Sequence, residues 1–173
     1  MKRYVYLLIG LLIFLGGCRK QPPQLPAHRM GEGPKVDSVQ MRLMELNSEM
    51  AQAADAQLTK LVQQQEDSYA LYDGNVWIHF IERGDIKSPA PAEDEEWLIH
   101  LRIYTLEGRL LQDAEQTYRI GKRELPPAVD YNIGDMHRGT QARMYVPWYS
   151  AYGLQGTEEV PSYENVIIEM EIK

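Results

Sequence analysis

The stretch Met144 to Gly156 reads MYVPWYSAYGLQG, and it gathers the residues best suited to shaping a binding site. Trp148, Tyr149 and Tyr152 lie within five positions, beside Pro147 and two glycines. A cluster of this kind serves as core packing, as a stacking platform, or as one wall of a ligand pocket. Side chains that drive other chemistries are scattered. His28, His79, His100 and His137 show no metal-ligand spacing. Ser150 and Ser162 lack the setting of an activated nucleophile. Cys18 is the sole cysteine, so no intramolecular disulfide can form. The residues call for no metal and no cofactor.

A chain of 173 residues fits one domain with accessory segments. Its formal net charge is −7, and no basic patch accompanies the aromatics, which excludes a nucleic-acid binder. The first segment, 1–17, has Lys2 and Arg3 before a short apolar run from Leu7 to Leu15. That run is too short to span a bilayer comfortably and reads as a secretory signal. The following LGGC resembles a bacterial lipobox, which makes Cys18 the expected lipidation site. Arg19 is not the acidic residue associated with inner-membrane retention, so the expected location is the outer membrane, facing the periplasm. Residues 18–35 are proline-rich with almost no apolar content, the composition of a flexible tether.

Segment 36–67 is expected to be helical. Asp37 and Gln40 can form a capping box, and Val36 and Met41 a hydrophobic staple. Val39, Leu43, Leu46, Met50, Ala54, Leu58 and Leu61 recur at helical steps as far as Asp67. The stripe suits packing on its own domain. It is also long enough to zip against a second copy, which leaves a homodimer open.

Strand grammar takes over in 68–173. SYALY and VWIHFI flank DGN, a hairpin signal. WLIHLRIY alternates, with Trp97, Ile99, Leu101 and Ile103 on one face. RLLQ, TYRI, ARMYVPW and NVIIEMEI read as further strands, and PPAVDYNIGDM as a brief helix. The fold class is therefore α+β.

Met136, Gly139, Ala142, Arg143, Val146, the AYG of Ala151 to Gly153, Gly156, the VP of Val160 and Pro161, and the strand Asn165 to Ile172 form one pattern. It resembles the C-terminal half of FKBP-type peptidyl-prolyl isomerases over about Trp97 to Lys173. Together with the lipobox and helical segment, the plan is similar to the gliding-motility-associated FKBP-type lipoproteins. The resemblance implies a curled antiparallel sheet wrapped on a short helix, with an apolar cavity between them. It implies that the Tyr152 hydroxyl donates to a bound carbonyl. Counting without gaps puts Leu125 and Pro126 at paired aliphatic positions, and Val129 where the family has its floor tryptophan. Ile168 replaces an aromatic wall residue, Leu111 falls at an aromatic position, and Gln112 at the acidic one. Leu101 falls at a tyrosine position, because Tyr104 has the wrong strand parity. The expected proline pocket is thus Tyr152, Leu101, Leu111, Leu125, Val129 and Ile168.

The implied activity is prolyl isomerisation of proline-containing polypeptides by a membrane-tethered folding helper. The altered pocket leaves a second reading, a non-catalytic module holding a partner in an envelope assembly.

Overall fold

The computed structural model describes residues 37–173. Cys18, the signal segment 1–17, the tether 18–35 and Val36 lie outside the described residues. The chain divides into two units, Met1–Ser38 and Val39–Lys173, and the architecture that follows is that of the second.

Helix α1 runs from Ser38 to Val62, shorter than the expected stretch to Asp67. The glutamines beyond Val62 tolerate a helix, yet they close this one. Gln64 and Gln65 donate their backbone N–H groups to Leu61 and Val62 in the tighter i,i+3 pattern. The Gln65 side chain also donates to the Leu61 carbonyl, a second bond to that oxygen at the helix end.

Six strands follow: β1 (Ala70–Tyr72), β2 (Val76–Arg83), β3 (Glu96–Thr105), β4 (Leu110–Arg119), β5 (Thr140–Val146) and β6 (Val166–Ile172). A short helix, α2 (Pro127–Asn132), continues into a 3-10 turn at Ile133–Asp135 between β4 and β5. The strands form one antiparallel sheet in the order β1-β2-β5-β6-β3-β4. DGN makes the β1–β2 turn, with Gly74 and Asn75 both at positive φ. Gly74 also packs against Ser150, whose hydroxyl donates to the Gly74 carbonyl at 2.6 Å.

RLLQ and TYRI belong to a single strand, β4, rather than two. The polar run between them reads as a break, but β4 is an edge strand paired only with β3, so its residues need little burial. Leu111 is bulged: Ile103 pairs with Gln112 and Tyr104 with Leu110.

Alternation along the strands builds two different faces. Trp97, Ile99, Leu101 and Ile103 of β3 join Met144, Ile168 and Met170 on the inner face, under Ala128 and Val129 of α2. Trp77, Tyr104, Tyr145 and Ile167 have the opposite parity and form the outer face, where Leu58 and Val62 of α1 cover them. The sheet is thus sandwiched between a short helix and a long one.

Only the second half of α1 takes part. Ala54, Leu58 and Val62 are buried, whereas Val39, Leu43 and Met50 remain exposed, Leu43 at 55%. The apolar stripe of the first half stays largely exposed.

Candidate functional site

A cavity of about 340 Å³ opens between β3, β4, the start of α2 and the β5–β6 loop. Leu101 supplies an apolar surface from β3, and Gln112, Gln116 and Tyr118 project from alternate positions of β4. Leu125, Pro126 and Pro127 close the side nearest α2. Two prolines suit this spot: Pro126 caps the helix with φ −53, and Pro127 begins it, where a missing N–H costs nothing.

The β5–β6 loop delivers Tyr152, Thr157 and Glu159. Pro147 ends β5 because it cannot donate to the ladder, and Trp148–Ser150 then make a single 3-10 turn. Gly153 donates back to the Trp148 carbonyl at 2.8 Å, which turns Tyr152 towards the inner face. Gly156 locks the far side of the loop. It sits at φ +64, and a Cβ there would lie 2.4 Å from the Val160 carbonyl oxygen, closer than any side chain tolerates.

Tyr152 is one of several polar side chains on the lining. Its hydroxyl donates to Gln112 Oε1 at 3.5 Å, the outer limit of a hydrogen bond, so little holds it from another acceptor. Burial, with smaller contributions from Tyr118 and Glu159, raises its pKa well above the usual phenol value. The hydroxyl therefore stays protonated, and a donor, throughout the neutral range.

Of the expected pocket residues, Tyr152, Leu101 and Leu125 line this cavity together. Leu111 is half-buried against the same core but outside the lining, because the bulge displaces it. Val129 and Ile168 are fully buried beneath α2 and within β6, as core and not as cavity wall. Trp148 is buried too, packed against Tyr149 and Tyr163 and away from the cavity. Sequence reasoning missed Gln116, Tyr118, Arg123, Thr157 and Glu159. The even-numbered alternation along β4 was a usable signal for the first two.

Three histidines are held by contacts within the fold. His137 Nδ1 lies 2.8 Å from the Ser88 carbonyl, His79 Nδ1 lies 2.9 Å from the Ser68 carbonyl, and His100 pairs with Asp113 at 2.6 Å. Among the described residues, no group of three His, Cys, Asp or Glu side chains could hold a metal ion.

No protein-family model and no curated protein sequence matches the chain. Solved structures do. A peptidyl-prolyl cis-trans isomerase from Pseudomonas syringae pv. tomato superposes with a TM-score of 0.60 at 15% identity, covering 72% of this chain and 92% of its own. The N-terminal domain of FKBP42 from Arabidopsis thaliana gives 0.53 at 20% identity, covering 63% and 92%. The fold is FKBP-like. Identities this low establish architecture alone, so the chemistry of the FKBP-like cavity must be argued from its residues.

Proposed function

We propose that this chain is a peptidyl-prolyl cis-trans isomerase that binds proline-containing polypeptides in the Tyr152 cavity. The observation that carries this reading is the partly buried Tyr152 hydroxyl, kept protonated as a donor beside Leu101, Leu125 and Tyr118 in a space of about 340 Å³. That volume is at the small end of ligand pockets and suits a proline ring with its neighbouring side chain.

Prolyl rotation must cross a barrier of about 20 kcal/mol, because resonance holds the amide planar. At the perpendicular geometry resonance and its charge separation are lost, so an apolar, dry surface favours that state over the planar one. Leu101, Leu125 and the paired prolines supply apolar surface on one side of a cavity whose other side is polar. Tyr152 can hold the carbonyl of the twisting segment in place. No bond is made or broken, so no nucleophile is needed.

The placement belongs to the same proposal. Lipidation at Cys18 tethers the domain to the cell envelope, at the outer membrane facing the periplasm, as in the gliding-motility-associated FKBP-type lipoproteins it resembles. Cys18→Ser should release the protein into the soluble periplasmic fraction or stall it with the signal uncleaved. Unchanged membrane fractionation with normal processing would sink that part.

A second reading is favoured by Gln112, a neutral amide where the family has an acid: a binding module that holds an envelope partner without turning it over. Isomerisation of a Leu-Pro peptide by protein beginning near Arg19 separates the two. Acceleration supports the enzyme, and binding without acceleration supports the module.

A further inference from the structure

Beside the Tyr152 cavity lies a second one of about 290 Å³, lined by Arg123, Leu125, Pro127, Asp130 and Tyr131. Arg123, Leu125 and Pro127 border both, so the two hollows are neighbours across one ridge. The second has an apolar base and an aromatic side, since Tyr131 stands 64% exposed beside it. A polypeptide lying in the first cavity must leave it, and an adjoining hollow with apolar walls offers its next residues a route.

Arg123 is the only cation on either lining among the described residues. Neighbouring cations are engaged: Arg119 pairs with Glu96 at 3.1 Å and Lys122 with Asp94 at 2.8 Å. The Arg123 guanidinium has no hydrogen-bond or ion-pair partner among the described residues. Its backbone sits at φ 58, a left-handed conformation that non-glycine residues seldom adopt.

The acids of the two linings sharpen the argument. Glu124 accepts the Arg119 backbone N–H at 2.8 Å, and Glu159 accepts the Thr157 hydroxyl at 3.2 Å. With Asp130 they are the carboxylates of the two linings, and Arg123 is the cation among them. A substrate carboxylate is thus repelled near these three acids and attracted at Arg123.

We propose that the second cavity is a subsite for the residues flanking the bound proline, and that Arg123 selects a polypeptide with an Asp or Glu there. This rests on the Tyr152 cavity holding the proline. Arg123 acts as a specificity-determining residue and takes no part in bond rotation. Because the pair forms near solvent, its effect is modest, about two- to fivefold in affinity, and salt weakens it.

The test uses the full chain and labelled Leu-Pro peptides that carry Glu, Gln or Lys two residues before or after the proline. Fluorescence anisotropy reads binding, and isomerisation rates are measured in parallel. From one side of the proline, the Glu peptide should bind about two- to fivefold tighter than the Gln peptide, and the Lys peptide more weakly. Arg123→Gln should erase the difference and Arg123→Glu reverse it, with melting temperature held. Lys60→Gln on α1 removes the same charge from the opposite side of the sheet and should change nothing. Equal binding of all peptides, a preference for Lys, or a Glu preference that survives in Arg123→Gln overturns the subsite while leaving the proline cavity standing. Failure of every peptide to bind overturns both.

Discussion

The Tyr149 hydroxyl donates to the carboxylate of Asp55, joining the loop that carries Tyr152 to the middle of helix α1. Asn75 completes the cluster, donating to Tyr149 at 3.0 Å and to Asp55 at 3.3 Å. The long helix is therefore tied to the segment that forms one side of the cavity, from the far face of the sheet. Tyr149→Phe and Asp55→Ala should each lower stability by about 0.5–1.5 kcal/mol. In a double-mutant cycle measured by urea unfolding, a coupling near 1 kcal/mol is expected. Additive effects would mean that the pair contributes nothing of its own.

Helix α1 should divide sharply under mutation. Leu58 is fully buried against Tyr145 and Ile167, so Leu58→Ala should cost about 2–5 kcal/mol. Leu43 is exposed, and Leu43→Ala should shift stability by less than about 0.5 kcal/mol. Thermal unfolding of the two variants at low protein concentration checks this. A large loss at Leu43 would show that something covers the first half of the helix.

Tyr152→Phe isolates one hydroxyl. Its partner in the fold is Gln112 at 3.5 Å, so removing it should leave the melting temperature nearly unchanged. A bound carbonyl would lose a hydrogen bond of about 0.5–1.5 kcal/mol, a few-fold to tenfold in peptide binding or isomerisation. Large destabilisation with function intact would make the hydroxyl a core group.

Alkaline pH should unfold the domain early. Burial first, with the neighbouring Tyr145 second, pushes Tyr69 up to about 12. Burial and the bond to Asp55 push Tyr149 up to about 12, and burial raises Tyr118 and Tyr152 as well. Unfolded phenols ionise near 10, so above that pH the native state holds more protons than the unfolded chain. Stability is then fully present below pH 10 and falls as pH rises from about 10 towards 12. Melting temperatures at steps across this window, with phenolate absorbance, should show the fall and the ionisation together. A flat profile to pH 12 contradicts it.

Much of the fold was legible where alternation was clean. The parity of Trp97, Ile99, Leu101 and Ile103 assigned β3 its inner face, and it put Tyr104 on the other side, where it packs under α1. DGN marked its turn because two consecutive residues there need positive φ. The interior of β4 was illegible for a physical reason: an edge strand beside a polar-walled cavity carries no hydrophobic signature. The bulge at Leu111 also breaks any count that assumes regular pairing. Of the cavity, Tyr152, Leu101 and Leu125 could be reached by counting. Val129 and Ile168 could not be told from cavity wall, since core and pocket ask for the same aliphatic side chains at one-residue resolution. The helical stripe of α1 likewise showed a face without showing how far along it the sheet would extend.

The strand order has a consequence for how the chain comes into being. β5 and β6 occupy the middle of the sheet, between the β1–β2 hairpin and the β3–β4 hairpin. A polypeptide emerging from its N-terminal end makes both hairpins first, yet they have nothing in common until β5 and β6 arrive between them. Two-stranded hairpins are marginal alone, and pairings distant in sequence come late. Every earlier segment must therefore wait, loosely structured, for Val166–Ile172. Synthesis thus cannot leave a finished domain part-way: the central strands, and with them the cavity, close only when the last residues are in place.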